Sequence, residues 1–419
     1  MTTIQYNPAQ LQAIYSNEPK IVVRAPAGSG KTASLCGAIQ EYMALHPNHS
    51  VTAITFTRKA AEELSVRVNN PKVKTSTIHS WSLHQLYSLG RKYNFTVELL
   101  EEEEMRRIMQ TIANKRRLKF INIYQLYNYI VGNIKTIDID EILVARYEQI
   151  KKEYEQYKHD RGLYDFTDLP QYLLDVLNEY DEDIYDIDAF FVDECQDIDE
   201  IQFRIFDRVQ AWKKFYIGDD RQAIYSFNGA LEDAFERYEN EGYKFFELNI
   251  NYRSKQSIMD AADSFRIFCE GGNITDVKAF KHSEIQCDRG QGGCVYFINK
   301  NGSCMTTSNA PTEVPKEIIT MLLNKPDTMF LCRSNKQVRK LQALGITNCS
   351  TVHQAKGLEY DNVILTDILA ENTEELNVAY VGMTRARNEL CVINFEVLIG
   401  ILSTIVIPQK IEEKTNLLF

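Results

Sequence analysis

Short apolar runs closed by polar or glycine-bearing turns recur through the first half of the chain. Ile21-Val22-Val23, Val51-Thr52-Ala53-Ile54-Thr55, Val73 to His79, Ala189-Phe190-Phe191-Val192 and Phe215-Tyr216-Ile217 read as strands. Between them the period lengthens. Tyr6 to Ile14 predicts a short amphipathic helix with Asn7 as N-cap and Pro8 at its first position. Phe56 to Leu64 predicts a strand end running into a helix start. From about Leu83 to Arg161 the texture changes. The acidic run Glu101 to Glu104, the basic run Lys115 to Lys119 and tyrosines at helical intervals from Tyr124 to Tyr157 predict a helical insertion, mostly solvated. The basic run fits a solvated face as well as a nucleic-acid contact. Parallel-sheet texture is expected to resume at Tyr164-Asp165-Phe166-Thr167-Asp168-Leu169.

Composition narrows the class. The chain has 419 residues, enough for two or three domains, with 44% hydrophobic and 25% charged residues, as in globular proteins. A net charge of −11 gives no global basic signature, so any nucleic-acid surface must be a local groove. The nine cysteines are odd in number and scattered, which predicts reduced thiols in a cytosolic setting. Cys287, Cys294 and Cys304 lie closest together, but no CxxC pair or nearby histidine gives zinc spacing. No basic-plus-apolar leader opens the chain, and Val397 to Ile407 is too short to span a bilayer. A soluble, cytoplasmic protein is expected.

Candidate chemistry starts after the first strand. Ala25-Pro26-Ala27-Gly28-Ser29-Gly30-Lys31-Thr32 has the pattern of a P-loop: strand, glycine-rich turn, then Lys-Thr opening a helix. Glycines let backbone N–H groups close around phosphate oxygens, and the helix adds its positive dipole end. Lys31 would reach the β- and γ-phosphates and Thr32 would ligate Mg²⁺. The bland alternative is a glycine-rich surface turn. The strand Ala189 to Val192 runs into Asp193-Glu194, where Asp193 would hold Mg²⁺ through water and Glu194 would polarise the attacking water; the alternative is a plain helix cap. After Phe215-Tyr216-Ile217 a polar turn carries Gln222, followed by Tyr225 and Phe227, which either offer faces for base stacking or belong to the core. Gln10, ahead of the P-loop, either reads the adenine edge or caps a surface helix.

These segments carry a resemblance. APAGSGKT, TFTRKAAEEL, DECQD and GDDRQAIYSFNGA resemble motifs of superfamily 1 helicases of the UvrD/Rep/PcrA type. In the second half LNINYRS, FLCRSN, STVHQAKGLEY and AYVGMTRA resemble further motifs in the same order, so the likeness runs from Tyr6 to about Ala386. The resemblance implies an α/β fold of two RecA-like P-loop domains with mostly parallel sheets, plus a helical insertion in the first. Domain 1 would comprise 1–84 and 160–245, the insertion 85–159, and domain 2 residues 246–419. ATP would lie in the cleft between the domains, contacted by Gln10, Ala27, Gly28, Ser29, Gly30, Lys31 and Thr32. Tyr252 would stack on adenine and Glu359 contact the ribose. Gln222, Arg253 and Arg385 would act with Lys31, Asp193 and Glu194 in catalysis, both arginines at the γ-phosphate. Phe56, Thr77, His79, Tyr225, Phe227, Thr351 and His353 would line the path of a single strand.

The implied activity is ATP-dependent movement on single-stranded DNA, 3′ to 5′, with duplex unwinding. The alternative is a DNA-stimulated ATPase serving as sensor or remodelling subunit of a replication, repair or defence complex. Backbone and stacking contacts do not separate DNA from RNA. Three departures stand out: Asn228 replaces an arginine beside the DNA, Ala33 replaces an arginine near the adenine, and only residues 336–349 separate Asn335 from Ser350, where relatives insert a large helical subdomain. The stretch Lys255 to Thr328, rich in Gly and Cys around 290–304, has no assignment.

Overall fold

The computed structural model describes residues 5–118, 121–131, 141–226, 229–269, 283–306, 314–367 and 372–416. It divides into two units. The first holds 1–23, 32–217 and 227–246, and the second 24–31, 218–226 and 247–419.

In the first unit the apolar runs become β1 (Lys20–Arg24), β2 (Val51–Thr55), β3 (Val73–Thr77), β4 (Ala189–Val192), β5 (Lys213–Gly218) and β6 (Lys244–Glu247), in the order β3-β2-β4-β5-β1-β6. The ladders β3–β2, β2–β4 and β4–β5 are parallel. Val22, Ile54, Phe190, Val192 and Tyr216 meet Trp81 and Leu173 in one core cluster. The helix Pro8–Ile14 begins as its sequence predicts: the Asn7 side chain accepts from Gln10 N–H while Gln10 Oε1 accepts from Asn7 N–H, both at 2.9 Å. Thr57 caps the helix Arg58–Val68 in the same manner, through Ala60 N–H.

Residues 164–169 differ from the expected strand texture. Asp165 accepts from Thr167 N–H and Asp168 from Asp165 N–H, which closes a 3₁₀ turn, Phe166–Asp168, leading into the helix Leu169–Glu179. Lys158 Nζ bridges both carboxylates, at 2.9 Å from Asp165 and 2.7 Å from Asp168. Local side-chain bonding to the backbone outcompetes extension here.

The helical insertion carries Glu102–Lys115, Ile123–Val131 and Glu141–His159. It is less solvated than its charge runs suggest. Tyr147 and Tyr154, two helical turns apart on one face, are fully buried against Met109, Leu126 and Ile150.

The second unit contains β7 (Ile250–Asn251), β8 (Gln286–Cys287), β9 (Cys294–Ile298), β10 (Cys304–Thr306), β11 (Thr328–Cys332), β12 (Cys349–Thr351), β13 (Tyr360–Thr366) and β14 (Ala386–Ile393). Its six-stranded sheet runs β10-β9-β14-β13-β11-β12, parallel except for the β9–β10 pair. The unassigned stretch 255–328 therefore supplies the helices Gln256–Cys269 and Pro315–Leu323 and three strands, β8, β9 and β10. Alternate residues divide between two cores. Leu331, Val363, Leu365, Leu390 and Val392 pack with Ile258 and Tyr380, whereas Phe330, Ile364, Cys391 and Ile393 pack with Ile318 and Leu398. A parallel sheet covered on both faces reads as continuous apolar runs for this reason. Among the described residues no helix is long and apolar enough to cross a membrane.

Candidate nucleotide and nucleic-acid site

Much of the predicted nucleotide machinery converges within the second unit. The turn of the P-loop needs its glycines, since Gly28 and Gly30 sit at φ +71° and +82°. A Cβ on Gly28 would fall 2.7 Å from the Arg253 Cβ and 2.8 Å from the Asn251 side chain. The close approach is a fastening: Asn251 Nδ2 donates to Ala27 O at 2.6 Å, and Tyr252 N–H donates to Gly28 O at 2.8 Å. Asn251 Oδ1 in turn accepts from Arg253 and Ser254 N–H. Asn251 is fully buried and unites the P-loop with the turn bearing Tyr252 and Arg253. Asn251 lies within LNINYRS and was not among the expected site residues; its short amide flanked by Tyr-Arg-Ser is the signal for such a side-chain turn.

Gly28→Ala should thus cost both order and activity. Strain from the positive φ and the contact with Arg253 should lower the melting temperature and depress ATP turnover together. A variant with both values at wild-type level would show that the loop does not need this approach.

A second node forms around Gln222. Buried Asp219 accepts from Gln222 Nε2 at 2.6 Å and from Arg221 N–H, and Gln222 Oε1 accepts from Arg385 Nη2 at 3.3 Å. Lys356 Nζ donates to Gln222 O, and Asn377 Nδ2 to Ala223 O. Arg385 is almost fully buried, with Nε on Val381 O and Nη1 on Leu358 O. Arg253 lies in a third node. Its Nε donates to Glu359 Oε2 at 2.6 Å, its Nη1 to Thr384 O, and Arg387 donates to the other oxygen of Glu359. Burial favours the neutral form of Glu359, but bonds from Arg387 and Arg253 outweigh it and hold its carboxyl below the usual range. Asp219, Arg221 and Arg387 are missing from the sequence-derived set. Tyr252 stands exposed, while Ala27 and Ser29 are buried and Lys31 is half-buried.

Lys31, the last residue of 24–31, opens the helix Lys31–Leu45, which continues from Thr32 in the first unit. Gln10 is buried in the cap already described. Parallel register brings the carboxyl ends of β2, β3 and β4 to one edge, where open α/β sheets place ligands. Asp193 and Glu194 follow β4 there. Glu194 adopts φ +52°, a left-handed conformation costing about 1–2 kcal/mol for a side-chain-bearing residue, and its Oε2 accepts from Gln196 Nε2 at 2.7 Å. Phe56, just past β2, is 49% exposed. Thr77, the last residue of β3, caps the helix Ile78–Tyr93 through Ser80 N–H. His79 stacks on Phe166, centroids 5.5 Å apart, and the Arg58 guanidinium lies 5.8 Å from the same ring. Phe166 is not among the residues expected on the strand path, because Tyr164 and Phe166 at alternate positions imitate a strand.

Of the other residues expected along a strand, Tyr225, Thr351 and His353 belong to the second unit. Tyr225 is half-buried, with Lys356 Nζ 4.6 Å from its ring centroid and His353 6.3 Å away. Thr351 is buried and its hydroxyl accepts from Gln354 N–H. Phe227, like Asn228, lies outside the described residues.

The histidines give a pH signature. Burial, then the positive charges of Arg333 and Lys356, push His353 down to about 4, and burial lowers His79 as well. A native value below the unfolded one, about 6.5, means the unfolded chain binds more protons between the two. Stability should be full above pH 6.5 and fall as pH drops toward 4. His353→Gln should make the melting temperature less steep between pH 6.5 and 5; an unchanged slope would mean His353 titrates normally.

Comparison with known proteins follows this geometry. Residues 6–242 match the UvrD/REP helicase N-terminal domain and residues 348–393 the UvrD-like helicase C-terminal domain. A probable DNA helicase II homolog of Mycoplasma capricolum is 26% identical over 363 residues, covering 78% of this chain and 49% of the relative. The ATP-dependent DNA helicase Rep of Buchnera aphidicola subsp. Baizongia pistaciae is 28% identical over 374 residues, 80% of this chain and 52% of the relative. DNA helicase II of Salmonella typhimurium is 30% identical over 301 residues, 62% and 40% respectively. The chain spans about half the length of the relatives it matches first.

Proposed function

Because the chain belongs to the UvrD/REP helicase family, we propose that it hydrolyses ATP and couples the hydrolysis to movement along single-stranded DNA, 3′ to 5′, with duplex unwinding. The observation that carries this reading is the Asn251 fastening, which holds Arg253 beside the glycine turn of the P-loop. Left-handed Gly28 and Gly30, followed by a helix from Lys31, suit a triphosphate. Lys31 would meet its β- and γ-oxygens, and Thr32 and Asp193 would hold Mg²⁺, which neutralises phosphate charge when bound. Glu194 would orient the attacking water; its strained backbone is of the kind found at functional sites. Gln222 and Arg385, bonded to one another, would sense the γ-phosphate, and Arg253 would stabilise the charge that develops on it. Phe56, Thr77, His79, Phe166, Tyr225, Thr351 and His353 would follow the strand, and Phe227 remains part of that proposal.

A second reading has its own observation. The helix Asn335–Ala343 passes to β12 within a few residues, with no inserted subdomain between 335 and 351. That economy favours a DNA-stimulated ATPase working inside a larger complex. Strand displacement separates the two. The purified chain should unwind 3′-tailed duplexes with ATP and leave 5′-tailed ones intact. DNA-stimulated hydrolysis without displacement of either would support the second reading instead.

A further inference from the structure

Away from the motifs, the first unit carries a pocket of about 480 Å³, within the range of roughly 300–1,000 Å³ for ligand pockets. Three large apolar side chains stand at it in solvent: Trp212 at 77% exposure, Leu45 at 62% and Tyr15 at 58%. Exposed aromatics grouped around a concavity are the anchor type that dominates binding energy at interfaces. They are also held in place. Trp212 N–H donates to Asp188 O at 2.9 Å, Tyr15 N–H caps the helix Pro8–Ile14 on Leu11 O, and Leu45 ends the helix Lys31–Leu45. The bonds fix the backbone from which the three side chains project, so that part of the surface needs no ordering on binding.

The polar groups decide what fits. Lys213, the lysine in the lining, turns its amine onto Ser16 O and Glu18 O at 2.6 and 2.7 Å. The Tyr42 hydroxyl is bonded to His49 Nδ1 at 2.8 Å, and His46 lies flat on His49. Glu41 is different: among the described residues its carboxylate has neither hydrogen bond nor ion pair. Half-buried in the lining, it presents a carboxylate to the pocket while the amine of Lys213 is taken up by the Ser16 and Glu18 carbonyls, and the ring faces of Trp212 and Tyr15 also attract cations. Phosphate chains meet no available cation here. We propose that this pocket docks a partner protein's segment in which an arginine or lysine adjoins a large apolar residue, the apolar group entering against Trp212 and Leu45 and the cation meeting Glu41.

Trp212 reports its own occupancy, since the second of the chain's two tryptophans, Trp81, is buried. The full chain is titrated with acetyl-Leu-Arg-Leu-Arg-amide, its Gln-for-Arg and Glu-for-Arg counterparts, and oligo(dT), following indole emission and, for heat of binding, calorimetry. The basic peptide should bind saturably and the acidic one should not. Glu41→Gln and Trp212→Ala should each weaken binding by about tenfold, the effect of losing one interfacial anchor, with ATP turnover unchanged. Equal binding of the acidic peptide or of oligo(dT), or wild-type affinity in Glu41→Gln, would overturn the proposal. So would a concentration-dependent dimer, seen by sedimentation, that Trp212→Ala abolishes, because the pocket would then serve a second copy.

Discussion

A Lys31→Ala protein should melt like the wild type and hydrolyse ATP at no more than about one-hundredth of its rate. Removing one group that meets charge developing at a reacting centre costs about 10²–10³ in rate, and Lys31 brings a full charge to the phosphates. The fold should not suffer. Lys31 is half-buried at the first position of its helix, and alanine is the better helix former. Steady-state turnover beside a thermal melt checks both halves of the expectation. Near-normal turnover in a folded variant would remove the nucleotide assignment of residues 25–32.

Arg253→Ala should lower kcat by about 10³ or more, in line with the 10³–10⁵ of an arginine finger, and change KM for ATP far less. An interaction made only as charge develops affects kcat and leaves ground-state binding nearly untouched. The geometry makes the experiment clean. Glu359 keeps Arg387 when Arg253 is removed, and the Asn251 bonds to Ala27 and to the backbone of residues 253 and 254 do not involve the lost side chain. Arg385 is less suitable, because its deletion strands two buried acceptors, on Val381 and Gln222, and a partly buried one on Leu358. A change confined to KM would make Arg253 a ground-state ligand.

Local signals made most elements of the first unit legible before the structure. Asn7-Pro8 announced its helix, apolar runs ending in Gly-rich or acidic turns marked β1, β4 and β5, and the apolar run ahead of Phe56 marked β2. The failures share a cause. At Tyr164–Leu169 aromatic residues at alternate positions imitate a strand, whereas Asp165 and Asp168 cap a turn that only Lys158, from the preceding helix, completes. β9 and β10 lie in a Gly- and Cys-rich stretch; β9 is specified by pairing with β14, a contact across some ninety residues, and β10 by pairing back on β9. The tyrosines of the insertion revealed helices but not which faces turn inward. At the candidate site, motifs name the side chains expected to act and omit what holds them. Asn251 reaches Ala27 and Arg387 reaches Glu359, both distant in sequence, and no local pattern carries those partners; Asp219 instead bonds within its own turn, to Arg221 and Gln222.

One measurement bears directly on the central claim: the rate of ATP hydrolysis by the purified chain, in Mg²⁺, with and without oligo(dT). Coupling of hydrolysis to a single strand predicts a slow basal rate that rises steeply and saturably with oligo(dT), and rises little with blunt duplex. A rate that is the same with and without the strand, or no hydrolysis in either case, would contradict it.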